Sequence, residues 1–207
     1  MKRIGALFLM ACFAVAAFGS ASKTILILGD SLAAGYGVDP DEAYPALIQK
    51  KIEASGLNYN VVNAGVSGDT TAGGLRRLTW VLRQPVDIFV LELGGNDGLR
   101  GVSPDETEKN LDAIIAKVKE KNPNVKVVIA GMEMPGIAGQ EFTQKFRAAF
   151  SNAAKKNGAL LIPFLLEGVG GKPELNQADR VHPTREGHKI VAENVWKVLK
   201  PLLKQGG

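Results

Sequence analysis

The sequence predicts an α/β protein in which a parallel sheet is covered by helices on both faces. Three observations carry this reading. Short apolar runs rich in β-branched residues alternate with longer stretches of helical spacing. The runs end in glycine, proline or small polar residues, and no linker composition, internal repeat or charge block interrupts the alternation. At 207 residues the chain is long enough for one such domain with a full core and too short for two.

Residues 1–21 stand apart from that pattern. Met1-Lys2-Arg3 is a short basic start, Ile4 to Phe18 is apolar, and Gly19-Ser20-Ala21 offers the small residues a signal peptidase requires. This predicts an export signal, a periplasmic or secreted address, and a single folded domain over 22–207. The apolar stretch falls short of the roughly 20 residues that span a bilayer, so no stable membrane span is expected in the mature form. Cys12 is the only cysteine and follows Leu9-Met10-Ala11. A lipoprotein anchored through Cys12 is the alternative; Met10 and the short run before Cys12 count against it. If Cys12 leaves with the signal, the mature chain has no disulfide, thiolate nucleophile or cysteine metal site. The formal charge is +4, and Lys2 and Arg3 supply two of those charges. The remaining balance is too mild and too interspersed with acids to indicate nucleic acid as a partner.

The first strand is Ile25-Leu26-Ile27-Leu28, an apolar run closed by Gly29-Asp30-Ser31. A glycine-punctuated turn through Gly35 and Gly37 follows, then a helix opened by Pro45 with Leu47, Ile48 and Ile52 on one face. Tyr59 to Asn63 is the second strand; it runs into a loop of small residues, 64–70, and a helix through Leu75, Leu78 and Leu82. Asp87 to Leu93 is the third, closing on Gly94-Gly95-Asn96-Asp97. Ser103-Pro104-Asp105-Glu106 has the layout of a capping box. The helix it opens carries Leu111, Ile114, Ile115 and Val118, with lysines towards its carboxyl end. Val125 to Ala130 is the fourth strand. Phe142, Phe146, Ala149, Phe150 and Ala153 recur at helical spacing as a core stripe, with Gly158 as C-cap. Leu160 to Pro163 is the fifth strand. A last helix capped by Thr184 carries Ile190, Val191, Val195, Val198 and Leu199.

Parallel strands end on the same side, so the loops after them can meet. Ser31 follows the first strand, Gly68 the second, Asn96 the third, and Asp179-Arg180-Val181-His182 precedes the last helix. A serine hydroxyl is a poor nucleophile at neutral pH unless a base takes its proton as it attacks. The chain has two histidines. His182 has Asp179 three residues before it to hold the imidazole; His188, inside the last helix without an obvious partner, reads as structural or solvated. An oxyanion needs donors, and the N–H of Ser31, the N–H of Gly68 and the side-chain amide of Asn96 are candidates. Asp30 and Asp97 read as turn-fixing acids. Leu99, Met132, Met134 and Ile137 would make an apolar rim suited to an acyl chain; ordinary loop packing over the core would use the same residues.

Gly29-Asp30-Ser31-Leu32, Gly68, Gly94-x-Asn96-Asp97 and Asp179-x-x-His182-Pro183 together resemble the four blocks of the GDSL or SGNH hydrolases, over nearly all of the mature chain. Leu28 to Leu32, Ser67 to Thr70 and Glu92 to Gly101 are most similar to the periplasmic acyl-CoA thioesterase I, lysophospholipase and arylesterase group. The resemblance implies a flavodoxin-like three-layer α/β/α sandwich around about five parallel strands. It also implies a catalytic triad of Ser31, Asp179 and His182, and an oxyanion hole formed by Ser31, Gly68 and Asn96. Ester or thioester hydrolysis through an acyl-serine is the expected activity, on a small-molecule acyl substrate, with no cofactor and no metal, by a monomer. A carbohydrate O-deacetylase is the rival enzyme, and an exported lipid- or glycan-binding module the rival outside enzymes. The Gly-x-Ser-x-Gly elbow, the phosphate loop, the dinucleotide fingerprint and a zinc-type histidine pair are all absent.

Overall fold

The computed structural model describes residues 22–203, so the expected export signal and Cys12 lie outside the described residues. Five strands, β1 (Lys23–Gly29), β2 (Tyr59–Gly65), β3 (Ile88–Glu92), β4 (Lys126–Ala130) and β5 (Leu160–Ile162), form one parallel sheet in the order β2-β1-β3-β4-β5. Seven α-helices accompany them among the described residues: α1 (Ser31–Ala34), α2 (Tyr44–Ala54), α3 (Thr71–Val81), α4 (Gly95–Leu99), α5 (Pro104–Lys121), α6 (Gln140–Asn157) and α7 (Arg185–Leu199). On one face α2 packs on α7; on the other α3 packs on α5 and α5 on α6. This is the flavodoxin-like three-layer arrangement. No helix among the described residues is long and apolar enough to cross a membrane.

Strands covered on both faces need apolar side chains in both directions, which is why β1 and β3 read as continuous runs rather than alternations. Ile25 to Leu28 and Ile88 to Leu91 are buried throughout. Phe146 and Phe150 of the aromatic stripe are fully buried and meet edge to face at 5.2 Å, with Phe142 stacked on Phe146 at 5.8 Å.

The differences from the expected elements are local. β2 runs two residues further than Asn63, because Ala64 and Gly65 pair in register with Leu28 and Gly29. Tyr44 rather than Pro45 starts α2. The capping box at α5 is half made: Ser103 Oγ accepts from the Glu106 N–H at 3.2 Å, while the Glu106 carboxylate turns to Lys109. α1 and α4 stand where loops were expected; a single turn is too short to show a helical period.

His188 has a partner that its place in the sequence does not reveal. It is 1% exposed, and its Nδ1 accepts from the Tyr44 N–H at 3.3 Å, joining α7 to the start of α2. The first N–H groups of a helix lack intrahelical acceptors, and the imidazole satisfies one of them. Burial, with a smaller repulsion from His182, lowers His188 to about 4. Between its ordinary value near 6.5 and about 4, the unfolded chain binds a proton that the folded chain refuses, so this group costs stability as pH falls through that window. Asp30, raised to about 6, contributes with the opposite sign. The comparison is therefore between wild type and His188→Gln in urea. From about pH 7.5 to about pH 4.5 wild type should lose about 2–3 kcal/mol relative to the variant. Identical pH dependence in the two proteins would contradict this role for His188.

Candidate active site

In this strand order the chain leaves β1 and β3 towards opposite faces, opening a crevice at their carboxyl ends. Ser31 stands there as the first residue of α1. Asp30 caps that turn: its Oδ1 accepts from the Leu32 N–H at 2.9 Å. As the first helical residue, Ser31 has a backbone N–H without an intrahelical acceptor.

His182 arrives from the loop before α7. Its Nε2 lies 2.8 Å from Ser31 Oγ and its Nδ1 2.7 Å from Asp179 Oδ2. The other Asp179 oxygen accepts from the N–H groups of Val181 and His182 at 2.9 and 3.0 Å. That tight loop needs Arg180 in the left-handed region, at φ 62°, with its N–H donating to the Gln177 carbonyl. Gln177 then fastens the loop to its surroundings: its N–H donates to the His182 carbonyl and its Nε2 to the Tyr36 and Pro183 carbonyls. The Tyr36 ring covers the imidazole at 4.6 Å.

The backbone N–H of His182, then that of Val181, then the imidazole itself hold the Asp179 carboxyl down at about 2. Asp179 is thus an anion across the neutral range and can only accept. Hydrogen-bond logic assigns the proton to Nδ1 and leaves Nε2 as an acceptor for the Ser31 hydroxyl.

Asn96 lines the same cavity from α4, and its Nδ2 donates to Asp30 Oδ2 at 3.1 Å, leaving a second N–H on that nitrogen. Gly68 sits to one side, outside the cavity lining. Its φ of 79° is one a side chain resists. Its carbonyl accepts from Arg100 Nη2 at 2.8 Å, and no acceptor among the described residues takes its N–H. Arg77 ties the neighbouring Asp69 to the end of β1 by donating to both the Asp69 carboxylate and the Gly29 carbonyl, at 2.7 and 3.1 Å.

The cavity beside Ser31 encloses about 390 Å³. Leu99 and Met134 line its wall, and Met132, only 3% exposed, lines it from the core side rather than at the rim. Ile137 does not belong to it. The Gly136–Ala138 3₁₀ turn after Pro135 carries Ile137 out to 98% exposure, away from the lining. Phe164, Leu166 and Gly170, from the segment after β5, form wall that sequence reasoning missed; no periodicity marks that segment. Among the described residues, no group of three or more His, Cys, Asp or Glu side chains is arranged to hold a metal ion.

Asp97 is a buried clamp between loops. Its carboxylate accepts from the N–H of Thr71 at 2.9 Å and from the Thr71 hydroxyl, to which Asn110 also donates at 3.2 Å. Asp97→Ala would strand those buried donors and should lower stability in urea by about 2–4 kcal/mol. A loss below about 0.5 kcal/mol would mean the clamp is not needed.

The model of the GDSL-like lipase/acylhydrolase family matches residues 27–190. Esterase TesA of Pseudomonas aeruginosa is 40% identical over 201 residues, covering 96% of this chain and 99% of that protein. Thioesterase 1/protease 1/lysophospholipase L1 of Escherichia coli K12 is 40% identical over 185 residues, 89% of this chain and 86% of that one. The crystal structure of TesA matches with a TM-score of 0.84 at 41% identity, over 87% of this chain and 100% of the other. With a family match across most of its length and relatives at this level of identity, the chain belongs to the GDSL-like lipase/acylhydrolase family.

Proposed function

We propose that this protein hydrolyses carboxylic esters and thioesters through an acyl-serine, with Ser31 as nucleophile, His182 as general base and Asp179 as the group that orients it. The observation that carries the reading is the unbroken hydrogen-bonded chain from Asp179 through His182 to Ser31 Oγ, ending in a largely apolar cavity. The names of the two relatives, an esterase and a thioesterase/lysophospholipase, support it.

Ser31 Oγ attacks the acyl carbon as its proton passes to His182 Nε2, and the carbonyl oxygen becomes an oxyanion. The N–H groups of Ser31 and Gly68 and the free N–H of Asn96 are its proposed donors, because donors held in a fixed orientation stabilise the developing charge without reorganising as it forms. The tetrahedral adduct collapses, the alcohol or thiol leaves with the proton from His182, and Ser31 is left acylated. Water, deprotonated by His182, then attacks the acyl-serine, and the acid and free Ser31 are released. Asp179 stabilises the imidazolium in both halves without taking its proton.

Leu99, Met132, Met134 and Phe164 suit the acyl part of the substrate. The export signal read in residues 1–21 supports a periplasmic or secreted site of action, and the protein works as a monomer on small acyl substrates.

A p-nitrophenyl ester series from acetate to palmitate tests the proposal. Turnover should rise from acetate to medium or long chains, and Ser31→Ala should remove roughly 10⁴-fold or more of it. Asn96→Ala should cost about 10²- to 10³-fold in kcat. Activity confined to acetate would favour an O-deacetylase, and no Ser31-dependent activity on any ester would overturn the hydrolase reading.

A further inference from the structure

β3 ends on a charged residue in an otherwise apolar run. Glu92 is 0% exposed and pairs in register with Gly29, at the carboxyl end of β1. Its Oε2 accepts from two backbone N–H groups of the turn that carries Ser31, those of Asp30 at 3.3 Å and Ala33 at 3.1 Å. The fit depends on glycine at position 29, where a Cβ would stand 2.3 Å from Oε2.

The other oxygen, Oε1, has no hydrogen-bond donor among the described residues. Beside Glu92 is the carboxyl of Asp30, itself 2% exposed, whose oxygens already accept from the Leu32 N–H and the Asn96 amide. The Asp30 N–H donates to Glu92 Oε2, so the two buried carboxyl groups fasten the same turn, and a hydrogen bond between them would need a proton on one. Two carboxylates cannot form that bond, since both only accept, and two such charges side by side in a dry site repel strongly. One proton between them removes both problems.

Among the described residues, the groups around the pair offer no unengaged cation to hold two charges. Tyr44 of α2 presents a buried hydroxyl, and His188 of α7 has its Nδ1 occupied as an acceptor. Arg77 of α3 is engaged by Asp69 and the Gly29 carbonyl, and His182 lies beyond Asp30 at Ser31.

We propose that Glu92 is a neutral carboxylic acid whose Oε1–H donates to the Asp30 carboxylate, and that it is a positioning residue for Ser31 and Asn96 acting through Asp30. Burial pushes Glu92 well above the ordinary carboxylate range and Asp30 to about 6, and the donors already bonded to Asp30 favour it as the charged partner. One oxygen of the acid orders the backbone on either side of Ser31. The other fixes the carboxylate that aims the Asn96 amide. The catalytic part of this inference rests on the hydrolase reading above.

Three measurements on the mature protein test it. The infrared difference spectrum of wild type minus Glu92→Gln at about pH 7 should contain the C=O stretch of a protonated carboxylic acid. Glutamine accepts with its oxygen and donates with its nitrogen, so it mimics the acid and not the anion. Glu92→Leu should therefore lose at least about tenfold in kcat with KM little changed, and Glu92→Gln should restore kcat to within about threefold of wild type. Absence of the acid band, or a Glu92→Gln protein as impaired as Glu92→Leu, would overturn the proposal. If Glu92→Leu fails to fold, the infrared band and the Glu92→Gln kinetics still decide it. Failure of the hydrolase reading would appear separately, as wild-type turnover unaffected by Ser31→Ala.

Discussion

The Asp30 carboxyl is the contact on which the site depends. One oxygen closes the turn that begins at Ser31, and the other reaches across the crevice to the Asn96 amide. Two loops that follow different strands are thereby held to one carboxylate at the point where the sheet opens. Around it lies a second layer of polar clamps: Asp97 on Thr71, Arg100 on the Gly68 carbonyl, and Arg77 joining Asp69 to β1. Short loops of small residues can keep a defined shape at the edge of a sheet because these groups fasten them at both ends.

Three carboxyl groups near Ser31 have different charge states for physical reasons visible in their surroundings. Asp179 is on an accessible loop and accepts from two backbone N–H groups and an imidazole, which hold it at about 2. Asp30 and Glu92 are buried side by side, and loss of water raises both. Ionised Asp179 can orient a histidine, whereas a buried acid can donate a hydrogen bond. The same functional group thus serves opposite purposes around one nucleophile.

Much of this was legible in the sequence. β1 and β3 show themselves because strands buried on both faces must be apolar throughout, and of the two histidines in the chain His182 has an acid, Asp179, three residues before it. The meeting of Ser31, Asp179 and His182 followed from the rule that parallel strands end on one side. The less legible features are those without a period or a motif. α1 and α4 are single turns, and Phe164 and Leu166 lie in an irregular segment whose path depends on the rest of the fold. Ile137 resembles a cavity residue until the turn that carries it outward is known. His188 takes its partner from α2, 144 residues away in sequence. Glu92 did leave a trace, as a lone acid in the run Ile88 to Leu93. Its meaning needed the third dimension, because Asp30 and Gly29 lie on a different strand end.

In the proposed reaction Ser31, aimed by this network, becomes covalently acylated while the donors receive the developing charge. A crystal structure of the protein treated with an alkyl phosphonate bears on it most directly. The phosphorus atom should be bonded to Ser31 Oγ, its oxygen accepting from the N–H groups of Ser31 and Gly68 and from Asn96 Nδ2, and its alkyl group should lie in the cavity lined by Met132 and Phe164. An unlabelled Ser31, or an adduct whose oxygen faces away from those three donors, would contradict it.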